Sequence, residues 1–270
     1  MSQSTKQEPE IVVTFTGGLG AQILSAAVYF DLLEQGQNIC ADVSYFKQAA
    51  RTATVGNKGE LSYWNYELGQ YDLPVTTFPT SKHKKSIFKR NGPRVITDGV
   101  DKLRLAIAAL RKPKVRKHFP ISISMLEECR KITGNNDCLC IHIRRGDYVN
   151  VASHLVGDMD FVYMARSLSK FVPAVVVISD SEVAEEIKKN LNELFEHCSF
   201  VVGGNPHVAH ALMRQAKYLI CSNSQFSLSA ALLNEVGQQV FLPTKWFGES
   251  ESDSQIPINE ICRFQMLSLS

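Results

Sequence analysis

Residues 138–148 read Cys-Leu-Cys-Ile-His-Ile-Arg-Arg-Gly-Asp-Tyr. Leu139, Ile141 and Ile143 alternate with Cys138, Cys140 and His142, so both sets of the alternation are mostly apolar. A strand without a polar face has nothing to show to water, and it belongs in a parallel sheet covered by helices on both sides. The chain beyond it keeps to that plan. Its patterning predicts helices over about 160–171, 181–195, 206–217 and 226–234, with strands at about 174–179, 199–202, 218–221 and 239–242. One helical face shows as Val183, Ile187, Leu191 and Leu194, another as Val208, Leu212, Gln215 or Ala216, and Leu219. Strand and helix in turn mark a parallel α/β domain.

The first half begins in the same way. A β-branched strand from Ile11 to Phe15 runs into Thr16-Gly17-Gly18-Leu19-Gly20 and then into a helix from about Ala21 to Leu33. Strand, glycine turn and helix open a Rossmann-like unit, and a second strand follows over 38–43. The helix is apolar nearly all round, with Gln22 as the polar exception, so burial is expected. Gly-Gly-Leu-Gly is not Gly-x-Gly-x-x-Gly, and alone it reads as a tight structural turn. Gly134-Asn135-Asn136-Asp137 is a clear break. The expected organisation is a disordered stretch over 1–10 and two Rossmann-like domains, over 11–134 and 135–270, facing each other across a cleft. Clefts between domains are favoured ligand sites.

A length of 270 residues with 44% hydrophobic content suffices for one large core or two modest ones. The net charge of +2 gives no global reason to expect nucleic acid, and no nucleic-acid-binding motif is present. Seven scattered cysteines without a Cys-x-x-Cys pair argue against zinc and read as free thiols in a reducing compartment. The polar first ten residues hold no apolar signal core, and no uninterrupted apolar run approaches the ~20 residues of a membrane span. The expected location is cytoplasmic. Lys82-His83-Lys84-Lys85, Lys89 and Arg90 form a basic run continued by Arg104, Arg111, Lys112, Lys114, Arg116 and Lys117. Leu103, Ala106, Ile107 and Leu110 make part of it an amphipathic helix. The run from Lys82 to Lys117 is either a solvated face or a weak peripheral contact with the inner face of a membrane. Tyr63-Trp64-Asn65-Tyr66 fills a small core or stacks on a sugar.

Chemistry collects where strands end. Arg144-Arg145-Gly146-Asp147 follows the first strand of the second half, Ser179-Asp180-Ser181 the second, and Ser222-Asn223-Ser224-Gln225-Phe226-Ser227 the fourth. Carboxyl ends of parallel strands share one rim, where open α/β sheets bind ligands. Two adjacent guanidiniums there call for an anion, and a diphosphate suits them. A salt bridge from either arginine to Asp147 is the plainer alternative. The serine-rich helix start adds N–H groups and hydroxyls to an anion site, although Ser224 fits equally as a helix cap. Asp180 is expected near a ribose or base, or as a turn residue.

The stretch His142-Ile143-Arg144-Arg145-Gly146-Asp147-Tyr148 resembles the His-x-Arg-Arg-x-Asp-Tyr motif of the α-1,2-fucosyltransferase family. Three more stretches agree in order. Gly17-Gly18-Leu19-Gly20-Ala21-Gln22 is similar to the family's Gly-Gly-Leu-Gly-Asn-Gln. Ser222-Asn223-Ser224-Gln225-Phe226-Ser227 resembles its Asn-Ser-x-Phe-Ser-Trp-Trp box, and Pro243-Thr244-Lys245-Trp246-Phe247 its Pro-x-x-Trp-Phe ending. Together the matches span nearly the whole chain. The resemblance implies an α/β, GT-B-like fold with GDP-fucose as donor, inversion at the anomeric carbon and no required metal or other cofactor. It implies an oligosaccharide or glycolipid acceptor, with the galactose 2-hydroxyl as the receiving position. Ala21 stands where the family has asparagine, and Leu228-Ser229 replaces its paired tryptophans.

On that footing, Arg144 and Arg145 hold the diphosphate while Asp180, Ser222, Asn223, Ser224, Phe226 and Ser227 line the donor side. Gly17, Gly18, Gly20 and Gln22 shape the acceptor side. Asp147 is assigned to orienting the arginines. Asp147 and His142 are the candidates for a general base, and His142 fits equally as a buried structural histidine. A transferase using another GDP-sugar and a catalytically weak glycan- or nucleotide-binding protein are the rival readings.

Overall fold

A computed structural model describes residues 9–47, 53–55, 60–62, 66–71, 73, 93–134, 137–150, 156–234, 237–243 and 265–267. The expectations placed on Tyr63-Trp64-Asn65, on 82–90 and on Thr244-Lys245-Trp246-Phe247 lie outside these residues. The chain divides into two compact units, Met1–Arg51 with Tyr63–Pro120, and Thr52–Ser62 with Ile121–Ser270.

In the first unit, β1 (Ile11–Thr14) lies between β2 (Ile39–Asp42) and β5 (Arg94–Ile96), and both pairings are parallel. Helix α1 (Leu19–Glu34) is buried from Leu19 through Phe30 except at Ala21, as its all-round apolar surface requires. A short α2 (Ser44–Lys47) follows β2, and α3 (Val100–Leu110) and α4 (Pro113–Arg116) pack on α1. Beyond α4, His118 stacks flat on Phe30 with ring centroids 3.9 Å apart. Part of the basic run is spent here. Lys112 pairs with Asp31 at 2.7 Å and Lys117 with Glu34 at 3.0 Å, while Lys102 is buried.

The second unit holds β3 (Ala53–Val55) and β4 (Glu60–Ser62), an antiparallel pair, and a six-stranded parallel sheet. Its strands are β6 (Cys138–Ile143), β7 (Ala174–Ser179), β8 (His197–Val202), β9 (Tyr218–Ile220), β10 (Gln239–Pro243) and β11 (Gln265–Leu267). They run in the order β11-β10-β9-β6-β7-β8, the doubly wound Rossmann order. The helices are α5 (Ile123–Thr133), α6 (Asp158–Leu168), α7 (Glu185–Leu194), α8 (Pro206–Gln215) and α9 (Gln225–Leu232).

All six residues of β6 are buried, as its lack of a polar face requires. Leu139, Ile141 and Ile143 join Val175 and Val177 in a core closed by Phe161, Ala165 and Leu168 of α6 and Ile187 and Leu191 of α7. Each such side chain contributes ~1.5–3 kcal/mol on burial. On the alternate set, Cys138, Cys140 and His142 are buried too, and α8, itself packed on α5, contacts β6. The described cysteines are free. Burial pushes the Cys138 thiol up to about 12 and that of Cys129 to about 11. Gly134, read in the sequence as a break, is the left-handed end of α5 at φ 63°.

Candidate functional site

From β6 the chain winds outward through β7 and β8, then crosses to the other side at β9. That reversal leaves a crevice outside the carboxyl ends of β6 and β9, the place where doubly wound sheets take ligands. Arg144 and Arg145 follow β6 directly, and Ser222, Asn223 and Ser224 lie just beyond β9. The Tyr148 hydroxyl ties the two rims together by donating to the Asn223 carbonyl at 3.2 Å.

The arginine turn is held from β7. One Asp180 oxygen accepts from the backbone N–H of Arg145 at 2.8 Å and from that of Gly146 at 3.1 Å. The other pairs with Arg144 Nη1 at 2.6 Å, and the Arg144 guanidinium lies 5.4 Å from the Tyr148 ring centroid. Asp180 thus clamps the arginine turn. Residues 182–184 stay out of helix, and α7 begins at Glu185, four residues later than the periodicity predicts.

Arg145 faces a different set of acceptors. Its guanidinium donates to the carbonyls of Arg144 at 3.0 Å and Val156 at 3.1 Å, and it pairs with Asp158 in the first turn of α6. The Phe161 ring lies 5.9 Å away. Asp158 was not singled out in the sequence, where it reads as an ordinary first-turn acid, and no spacing rule signals a partner thirteen residues back. Asp147 sits in the turn over Gly146–Asn150, and its side chain lies outside the described set. Asp180 and Asp158 pair with the two arginines, and the orienting role expected of Asp147 falls on a side chain outside the described set.

The serines turn inward. Ser224 caps α9 by accepting from the Phe226 N–H at 3.2 Å, and Ser227 donates to the carbonyls of Ser222 and Ser224. Ser222 Oγ meets His142 Nδ1 at 2.8 Å. What α9 offers outward is its first-turn backbone N–H groups, the usual anion-binding feature of a helix start. Phe226 sets its ring edge-on to His142 at 5.4 Å and near His210 at 5.6 Å. His142 is fully enclosed; burial first, and the Arg144 charge second, pull its imidazole down to about 3. Leu228 and Ser229 are fully buried, with Ser229 Oγ against His210 Nε2 at 3.0 Å, so the change from paired tryptophans alters a core.

Gly17, Gly18, Gly20 and Gln22 belong to the first unit. Gly17 has φ +70°, and a Cβ there would lie 3.1 Å from the Ala21 Cβ, so this turn needs its glycine. Gln22 is completely buried; it donates to the Gly17 carbonyl at 2.8 Å and accepts from the Glu67 N–H at 2.9 Å. It shapes the turn from below. Among the described residues, no cluster of three His, Cys, Asp or Glu side chains could hold a metal ion.

A doubly wound sheet with cationic and helix-start groups at its switch point defines a class of α/β protein whose ligand sites lie at that point. The model of glycosyl transferase family 11 matches residues 114–256, and the chain belongs to that family. The α-1,2-colitosyltransferase of Escherichia coli is 32% identical over 160 residues, which make up 55% of each chain. The chain thus spans about half the length of this curated relative. Among solved structures, ADP-heptose LPS heptosyltransferase II of E. coli matches at a TM-score of 0.53 with 12% identity, covering 97% of this chain and 91% of that one. This likeness shows the fold, α/β of the GT-B type. POFUT1 in complex with GDP matches at a TM-score of 0.47 and 12% identity, over 87% of this chain and 98% of that one.

Proposed function

We propose that this chain transfers fucose from GDP-fucose to a hydroxyl of a glycan acceptor, with inversion and without a required metal. The galactose 2-hydroxyl is the receiving position. The observation that carries the reading is the pair of guanidiniums at the end of β6, beside the start of α9. As the sugar–phosphate bond breaks, positive charge grows on the sugar and negative charge on the departing GDP. Arg144 and Arg145 meet that negative charge, and each charge-assisted hydrogen bond is worth ~1.5–3 kcal/mol. The part that strengthens as the bond breaks accelerates the reaction. Asp180 and Asp158 hold the two forks in place beforehand, so little reorganisation is needed. Of the two candidate bases, His142 is engaged with Ser222 and is a weak base at a value of about 3, which leaves Asp147.

The 32% identical colitosyltransferase favours one second reading, a colitosyl donor in place of a fucosyl one. The ratio of kcat/KM between GDP-fucose and GDP-colitose decides between them, because the two sugars differ by one hydroxyl that a donor site either bonds or ignores. GDP release from GDP-fucose tests the main reading, and GDP binding without any turnover would overturn it.

A further inference from the structure

We propose that Asp98 is an acceptor-binding residue, a carboxylate set on the rim of the first sheet to accept hydrogen bonds from hydroxyls of the receiving sugar. This rests on the glycosyl-transfer reading above. Asp98 lies two residues beyond β5, and Thr16 two residues beyond β1, so both stand at the carboxyl ends of parallel neighbours. The Thr16 hydroxyl donates to one Asp98 oxygen and the Lys102 ammonium pairs with the other. Lys102 also donates to Ser25 Oγ at 2.8 Å, and Ser25 in turn donates to the Ala21 carbonyl at 3.0 Å, beneath the glycine turn.

The two partners differ sharply in exposure. The Lys102 side chain is 5% exposed and that of Asp98 is 50% exposed. A buried ammonium is a poor way to gain stability, since an apolar side chain of similar volume does as well or better. What Lys102 achieves is a carboxylate fixed in place with its outer side open. A carboxylate has about four acceptor positions, and Thr16 and Lys102 use two. Next to it Gly99 has φ +149°, and among the described residues no atom beyond its chain neighbours lies within 4 Å of where a Cβ would sit. Because Lys102 already balances the charge, the fitting ligand is a neutral polyhydroxylated molecule and not a cation.

The test uses the full chain with GDP-fucose and a panel of β-galactosides and free sugars, alongside GDP titration by calorimetry. In Asp98→Asn, the acceptor KM should rise at least about 10-fold, the loss of one charge-assisted hydrogen bond, while the Kd for GDP holds within about 2-fold of the wild-type value. Asp98→Asn leaves the Lys102 charge buried without a counter-charge, so Asp98→Asn with Lys102→Met is made in parallel to keep a folded protein, and it should show the same split. An unchanged acceptor KM in the double variant, or a GDP Kd that moves by the same factor, overturns the assignment. If the wild type releases GDP from GDP-fucose yet transfers to no sugar hydroxyl, the assignment falls and the donor reading stands. A wild type that does not bind GDP brings down both.

Discussion

Gly146 has no room for a side chain. A Cβ there would lie 2.5 Å from an Asp180 oxygen, and that carboxylate is anchored by two backbone N–H groups and Arg144. Gly146→Ala should therefore displace the clamp and weaken GDP binding about 10-fold, the worth of one charge-assisted bond; a wild-type affinity in calorimetry would remove Asp180 from the account. Arg145→Lys keeps the charge but cannot reproduce a fork that reaches two carbonyls and a carboxylate at once. Its kcat should fall about 100-fold with the thermal midpoint nearly kept, and a rate within about 2-fold of wild type would show that charge alone suffices. His142 supplies a pH signature. Unfolded, it titrates near 6.5; folded, at about 3. Between those values only the unfolded chain binds the proton. Stability is thus fully present above about pH 6.5 and declines below it, at up to about 1.4 kcal/mol per pH unit. Buried His210 shifts in the same direction. Urea midpoints measured from pH 7.5 to 4.5 check this, and a midpoint that rises toward acid would contradict it.

Elements whose own residues carry the pattern were legible in the sequence. β6 and β7 are apolar on both faces and nothing but a covered parallel strand satisfies them. The start of α9 was legible as well, because Ser224 caps it locally; Ser224→Ala should cost about 1 kcal/mol in denaturant unfolding. β5 was not, since three residues of an edge strand hold no period to read. Helix α5 was passed over because only Cys129 of its eleven residues is buried, which leaves almost no apolar stripe. At the site, the arginines and the serine loop were found by position at strand ends. Asp180 was found in the same way, but its pairing with the arginines was not, and Asp158 was missed, because these contacts span 35 and 13 residues through a sheet order that is a property of the whole fold.

Across the whole molecule, the two parallel-sheet units and the family assignment set the scale of the claim. No helix among the described residues is long and apolar enough to cross a membrane. In the proposed reaction the guanidinium pair would provide at the diphosphate the positive charge that a divalent ion provides in other transferases. The rate should then be indifferent to EDTA, and a fall restored by manganese would contradict that division of labour. Binding of GDP should also stabilise the folded chain by about 2.7 kcal/mol at a hundred times its Kd. The most direct measurement is a crystal structure of the chain with GDP. The account predicts diphosphate oxygens on the guanidiniums of Arg144 or Arg145 and on the first N–H groups of α9. A diphosphate bound away from the ends of β6 and β9 would contradict it.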